Sequence, residues 1–129
     1  MTDVIHDHDE IVRVLELYID GASKGDAARL RMAFHPDARM FGRFAGARLD
    51  IPISEFVDMA VGQPADTGAY RGRVLSVTLV GDAAAAVVAE EGCWGSVSFI
   101  DFLTLARIDS NWRIVSKTFA HTGGQPSDA

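Results

Sequence analysis

Residues 97–119 read VSFIDFLTLARIDSNWRIVSKTF, and this stretch decides the fold. Segments 97–108 and 111–121 are rich in β-branched and aromatic residues and flank the turn-forming sequence Asp-Ser-Asn, so they predict a β-hairpin. One acid, Asp101, stands between Ile100 and Phe102 in the first segment. Because a carboxyl group in a buried strand is costly unless it is protonated or hydrogen-bonded, Asp101 is the first residue whose role needs an explanation.

Upstream of this hairpin, the first half of the chain has the pattern of helices. Apolar residues recur at helical spacing over 9–24, with an aspartate near the start to cap the helix. A second, shorter helix is expected after Asp26, ending at the sequence His-Pro-Asp of 35–37 because proline restricts the residue before it. A third helix is expected around Ser54, which we predict as its cap.

The remaining segments have the pattern of strands. Alternating β-branched residues favour strands over 70–80 and 83–90, and two shorter strands are expected at 39–44 and 48–51. We therefore predict an α+β domain with three N-terminal helices and a strongly curved, mostly antiparallel sheet that wraps them and leaves a pocket. Strands 70–80 and 97–108 carry apolar residues on both faces, which favours a homodimer through the outer face.

Composition narrows the class of protein. The 129 residues fit a single domain over 1–129, in which we expect 1–8 and 122–129 to be flexible. The acidic, polar N-terminus is unlike a signal peptide, and the single cysteine, Cys93, fits a reducing cytoplasm. A net charge of −6 without a cluster of basic residues argues against nucleic acid or a membrane surface as a partner.

Asp101 has two interpretations. Period two places it on the same sheet face as Phe99 and Leu103, towards the helices, where its best partner is the hydroxyl group of Tyr18 in the apolar stripe of the first helix. In this case the two side chains form a polar pair in a pocket. The alternative is a structural acid that backbone amides satisfy at a bend, or one that lies at an interface.

Three further residues are candidates for the functional site, and each also has an ordinary structural explanation. His35 could serve acid–base chemistry with Asp37, but a turn that ends a helix explains both residues and is the favoured interpretation. Trp94 could line a pocket entrance or cover a sheet edge. Lys117, on the last strand, is expected to be solvated or to protect an edge, with a ligand or interface contact as the alternative.

Metal and nucleophile chemistry have weak support. His6 and His8 are close together but lack a clear third ligand, so no metal site is expected. Cys93 has no neighbouring histidine in the sequence to activate its thiol. The chain also lacks a phosphate-binding glycine loop and a nucleophile elbow, and no cofactor is expected.

Several segments together resemble the nuclear transport factor 2-like superfamily. They are LYIDGASKGDAARLRMAFHPDARMFG at 17–42, ISEFVDMAV at 53–61 and FIDFLTLARIDSNWRIVSKTF at 99–119. Within the superfamily the chain is similar to the small bacterial proteins labelled putative lumazine-binding, neighbours of the SnoaL-like polyketide cyclases. The resemblance implies a cone-like fold with a pocket at its open end, and a dimer across the outer face of the sheet.

The resemblance also implies a role for the polar pair. Ketosteroid isomerase, a member of the superfamily, binds an oxyanion with a tyrosine and a protonated aspartate. Tyr18 and Asp101 stand at the matching positions. The catalytic base of that enzyme matches Gly42 here, and no acid lies between Met40 and Arg48, so the same isomerase reaction is not expected.

The sequence therefore predicts a small-molecule binding protein. Tyr18 and Asp101 would fix a carbonyl group or ring nitrogen, and the ligand would be flat and mostly apolar, such as a pterin-like heterocycle or a polyketide. One alternative is an isomerase, cyclase or dehydratase with another base, such as His35. A second is a dimeric interaction module with a vestigial pocket. The expected pocket walls are Phe34, Met40, Phe56, Trp94 and Phe99.

Overall fold

Three helices and six strands make up most of residues 3–125, the part of the chain that the computed structural model describes. None of the helices within this range is both long and apolar enough to cross a membrane. In chain order the elements are α1 (Val4–Lys24), α2 (Ala27–Ala33), β1 (Phe34–Phe44), β2 (Ala47–Pro52), α3 (Ile53–Val61), β3 (Arg71–Val80), β4 (Ala83–Cys93), β5 (Val97–Ile108) and β6 (Asn111–Gly123).

Helix α1 supplies the longest apolar face against the sheet. It begins earlier than its apolar pattern indicated because the carboxylate of Asp3 accepts a hydrogen bond from the backbone N–H of His6. It ends at Gly25, whose φ of 60° is the left-handed conformation that closes many helices. Tyr18 lies on the buried face of this helix, so its side chain points towards the sheet.

Two local predictions were wrong. Residues 35–37 belong to β1, which starts at Phe34 directly after α2, and the pairing of β1 with β6 shifts register between Phe34 and Arg39. Such an irregularity accommodates Pro36, which has no N–H to donate. Helix α3 starts at Ile53 after Pro52, without a side-chain capping bond, so Ser54 is not its cap.

Parts of the two terminal segments that were expected to be flexible, 1–8 and 122–129, lie in regular elements. Residues 4–8 lie in α1, and β6 extends to Gly123. Residues 1–2 and 126–129 lie outside the described part of the chain.

The strands form one sheet in the order β2-β1-β6-β5-β4-β3. β1 and β6 run parallel, and every other neighbouring pair is antiparallel. The inner face of β4 and β5 is buried at alternate positions, which places Asp101 opposite Val88 on one side and Phe119 on the other. The predicted α+β, cone-like architecture with three helices on a curved, mostly antiparallel sheet is confirmed.

Candidate functional site

A cavity lies between the helices and the inner face of the sheet. Its volume is about 40 Å³, and seven of its fifteen lining residues are aromatic. Half-buried Phe44, Tyr70 and Trp94, together with the partly exposed Met59, lie at its rim. The polar side chains that reach it are those of Tyr18, Tyr70, Glu90, Cys93 and Lys117.

Tyr18 and Asp101 form a hydrogen-bonded pair beneath this cavity. The Tyr18 hydroxyl donates to Oδ2 of Asp101 over 2.7 Å, and neither residue is exposed to solvent. Tyr18 lines the cavity, whereas Asp101 lies behind it, outside the lining residues. The other carboxyl oxygen of Asp101, Oδ1, has no hydrogen-bond partner among residues 3–125. The phenol therefore separates the Asp101 carboxyl group from the cavity.

Glu90, which was not among the residues predicted for the site, extends this pair into a network. Tyr70 donates a hydrogen bond of 2.7 Å to Oε1 of Glu90, and the Tyr18 oxygen lies 3.2 Å from Oε2. Burial, followed by the nearby charge of Asp101, raises the pKa of Glu90 well above its usual value. The Tyr18 hydroxyl is the donor in both contacts, so its single proton is shared between a short bond to Asp101 and a longer one to Glu90.

The position of Glu90 could have been predicted from alternation. Ala84, Ala86 and Val88 are buried at every second position of β4, and the same period leads to Glu90 on the inner face. The neighbouring Glu91 is exposed and pairs with Arg71. Two adjacent glutamates at the end of a strand therefore have opposite environments, and only one of them faces the cavity.

Lys117 is buried, which corrects the expectation of a solvated side chain. Its side chain lines the cavity and the residue is 5% exposed. The reason is a bulge: Thr104 pairs with Ser116 and Leu105 with Ile114, which leaves Val115 without a partner in β5. The extra residue changes the alternation, so Lys117 points inward.

The ammonium group of Lys117 lies among aromatic faces. Its Nζ is 3.8 Å from the centre of the Phe56 ring, 5.0 Å from that of Tyr18 and 5.9 Å from that of Phe119. Such contacts stabilise a cation. Within residues 3–125 it makes neither a hydrogen bond nor an ion pair, so its three N–H donors are unpaired there.

The remaining acids of the cavity keep their protons. Burial raises the pKa of Tyr18, Tyr70 and Cys93, and the charge of Asp101 or Glu90 adds to the effect. The two phenols are therefore hydroxyl donors near neutral pH, and Cys93 is a thiol rather than a reactive thiolate.

The other residues predicted for the site separate into two groups. Met40, Phe56, Trp94 and Phe99 line the cavity. Phe34 does not; its ring packs edge-on against Tyr18, with the ring centres 5.4 Å apart, and so supports the phenol from behind.

His35 and Gly42 lie apart from the polar network. Nδ1 of His35 accepts a 3.0 Å hydrogen bond from the backbone N–H of Asp37, and His35 is not among the lining residues. A Cβ atom at Gly42 would lie 2.6 Å from the ring of Phe119. Gly42, the residue expected to match the isomerase base, therefore has no room for a side chain.

Sequence comparisons identify similar proteins. A sequence model of the family described as "Putative lumazine-binding" matches residues 6–120. Aldolase FrzH of Cladobotryum sp is 25% identical over 113 residues, which cover 88% of this chain and 90% of that protein.

Solved structures share the fold. An NTF2-like protein of unknown function from Shewanella baltica superposes with a TM-score of 0.86 and 26% identity, covering 98% of this chain and 100% of that one. A second NTF2-like protein of unknown function, from Methylobacillus flagellatus, has a TM-score of 0.84 and 29% identity, with coverages of 92% and 94%.

Proposed function

Because the chain belongs to the putative lumazine-binding family and has the nuclear transport factor 2-like fold, we propose that its cavity binds a small, flat, mostly apolar molecule that carries a carbonyl group or a ring nitrogen. The observation that carries the proposal is a buried group of N–H donors on Lys117 that has no partner within residues 3–125, inside a cavity lined by aromatic residues. Apolar walls with a few placed polar groups are typical of small-molecule sites.

Each polar residue has a different part in this proposal. Tyr18 uses its proton on Asp101 and Tyr70 uses its proton on Glu90, so neither phenol is free to donate to a ligand. Lys117 is left as the donor for a carbonyl oxygen or ring nitrogen. The Tyr18–Asp101 pair then positions the floor of the site and does not hold the ligand by itself.

A thermal-shift screen of aromatic heterocycles, polyketides and steroids tests the proposal. A ligand at about 100 times its dissociation constant should add about 2.7 kcal/mol to the free energy of unfolding. The Lys117→Met variant fills a similar volume without the donors, and it should bind the hits more weakly. An exposed control, Lys24→Met, should bind them as the unchanged protein does. No stabilisation by any class of compound would contradict the proposal and favour an interaction module with a vestigial pocket.

The second candidate function is an enzyme that moves a proton to or from carbon next to a carbonyl group. It is favoured by the raised pKa of Glu90, which lines the cavity together with Lys117, because a carboxyl group with a raised pKa can act as an acid or a base. The similarity to a protein named as an aldolase supports the same class of chemistry. In this case Glu90, rather than His35, is the proton carrier, and the hits of the screen would be turned over.

We also propose a homodimer through the outer face of the sheet. Val87, Phe102, Thr118 and Phe41 are cross-strand neighbours in a continuous row on that face. Phe102 is 53% exposed and Phe41 is 43% exposed, although both lie in the middle of strands. An apolar row of this kind is typical of a face that a second subunit covers.

Composition supports the cytoplasm as the location, with neither nucleic acid nor a membrane as a partner. The net charge of −6 disfavours contact with phosphate groups. Cys93 is buried as a free thiol, which fits a reducing compartment.

A further inference from the structure

Lysine is rare in this chain, and one of its lysines is buried. Lys24 and Lys117 are the lysines among twelve lysine and arginine residues. Lys24 is exposed at the end of α1, whereas Lys117 is 5% exposed in the cavity wall. Fully buried lysines normally have an acidic partner, but Lys117 has no ion pair within the described residues. A buried lysine adds little to the charged surface that keeps a protein soluble, so we look for the role of Lys117 in the chemistry of the cavity.

The surroundings of Lys117 suit an amine that reacts. A lysine amine can form a Schiff base with a carbonyl carbon, and that of Lys117 lies in an apolar cavity without an ion-pair partner among residues 3–125. Glu90 lines the same cavity, and its carboxyl group lies close enough for the charge of Lys117 to act on it. A nucleophilic amine and a carboxyl group that can give and take a proton are the two parts that imine formation needs.

We propose that Lys117 condenses with an aldehyde or ketone group of the bound molecule to form an iminium. This inference rests on the proposed binding function and names the substrate class of that site: carbonyl compounds with a flat, apolar body.

The step balances without a further reagent. One ammonium proton first moves to the carbonyl oxygen, which leaves a lone pair on the nitrogen. The neutral amine then bonds to the carbonyl carbon as the C=O π bond opens, which gives a carbinolamine protonated on nitrogen. Glu90 then delivers its proton to the hydroxyl group, which leaves as water, and recovers a proton from the nitrogen as the C=N bond forms. The ammonium at the start and the iminium at the end both carry their positive charge at the nitrogen. The ring of Phe56, 3.8 Å from Nζ, therefore stabilises the iminium as it does the ammonium.

Reductive trapping tests the proposal on the intact protein. The probe is 2-naphthaldehyde with sodium cyanoborohydride near neutral pH, read by intact mass and by peptide mapping. We expect one naphthylmethyl group on Lys117, attached at least about tenfold faster than on exposed Lys24 because the cavity holds the aldehyde against the amine. The Lys24→Arg variant should keep this modification, and Lys117→Met should lose it. Mapping separates both sites from the terminal amine.

A second arm separates failure of the chemistry from failure of the binding function. Naphthalene-2-methanol has the same ring system without the carbonyl group, and its binding is read by thermal shift. If it stabilises the protein while Lys117 remains unmodified or is modified no faster than Lys24, the amine proposal is overturned and the binding proposal stands. If naphthalene-2-methanol does not stabilise the protein and the aldehyde modifies Lys117 no faster than Lys24, the amine proposal and the binding proposal are both overturned. Faster modification of Lys117 than of Lys24 supports the amine proposal and the binding proposal. Because this rate is measured by peptide mapping of the unchanged protein, the result does not depend on whether the variants fold.

Discussion

The hydroxyl group of Tyr18 donates to Oδ2 of Asp101 over 2.7 Å, with both residues fully buried. This contact joins the middle of α1 to the middle of β5. It also explains how an acid is accommodated in an otherwise apolar strand, because the phenol supplies a partner for the carboxyl group that the sheet does not. Removal of the phenol hydroxyl would leave the carboxyl group of Asp101 with no partner among residues 3–125.

The Tyr18→Phe variant should therefore be less stable by about 2 kcal/mol, since a buried carboxyl group loses its donor. Tyr70→Phe is the matched control: it removes the same hydroxyl group from a partly buried contact, and we expect a loss of about 1 kcal/mol. Urea unfolding measures both. Combining Tyr18→Phe with Asp101→Leu should recover part of the loss, because no carboxyl group then remains unpaired. Equal losses for the two single variants would contradict this account.

Glu90 should make stability depend on pH. Its pKa is raised in the folded protein above the ordinary value of 4.5, chiefly by burial, so the folded state holds the proton more tightly than the unfolded chain does. This contribution to stability is fully present below pH 4.5 and is lost as the pH rises from there through the folded pKa. Glu90→Gln keeps a donor without a titrating group, so its free energy of unfolding should fall less over this range. Urea unfolding at a series of pH values gives both curves, and parallel curves would show that Glu90 does not cause the dependence.

Substitution of Gly42 tests whether a side chain fits at this position. A Cβ atom there would lie 2.6 Å from the Phe119 ring, so Gly42→Ala should cost about 1 to 3 kcal/mol by overpacking. Gly62→Ala is the control, because its Cβ would meet atoms no closer than 3.6 Å. Adding Phe119→Leu to Gly42→Ala should relieve part of the loss in thermal melts. If Gly42→Ala is as stable as Gly62→Ala, the ring moves freely and the absence of a base is not a matter of space.

These contacts show which parts of the site the sequence could predict. The Tyr18–Asp101 pair follows from two regular periods, the helical stripe of α1 and the alternation of β5, and both periods hold in the structure. Alternation would also have led to Glu90. Gly42 was expected at the position of the isomerase base, and the ring that fills the space beside it comes from β6, far away in sequence.

Lys117 could not be assigned in this way. Its inward direction depends on the unpaired Val115, and the bulge there arises from pairing between two strands rather than from a local sequence signal. The strand at residues 35–37 was missed for a related reason: the local preference of Pro36 for a turn was overridden by pairing with β6 on either side of a register shift. Periodicity predicts regular elements, and tertiary pairing decides where they are interrupted.

The outer sheet face gives a prediction about assembly. Phe102→Asp places a charge in the middle of the apolar row and should convert a dimer to a monomer, since a buried, unpaired carboxylate at an interface is costly. Ile5→Asp is the control, because Ile5 is 76% exposed on α1, away from this face. Light scattering at micromolar concentration measures the mass. A monomer for the unchanged protein, or a dimer for Phe102→Asp, would count against the proposed interface.

Trp94 should report on ligand entry. The cavity holds only about 40 Å³, whereas sites for drug-sized ligands are on the order of 300 Å³ or more, so a flat ligand must displace a wall. We expect Trp94 to be the wall that moves, because it lies at the rim of the cavity in the turn between β4 and β5 rather than in a strand.

Ligand binding should therefore change the fluorescence of Trp94. The other tryptophan, Trp112, is buried near the opposite end of β5, where it pairs with Arg107. Trp112→Phe should keep the ligand-induced change in emission, whereas Trp94→Phe should abolish it and still be stabilised by the ligand in a thermal shift. If the emission change persists in Trp94→Phe and disappears in Trp112→Phe, the ligand enters elsewhere, and the rim formed by Phe44, Tyr70 and Trp94 is not the mouth of the site.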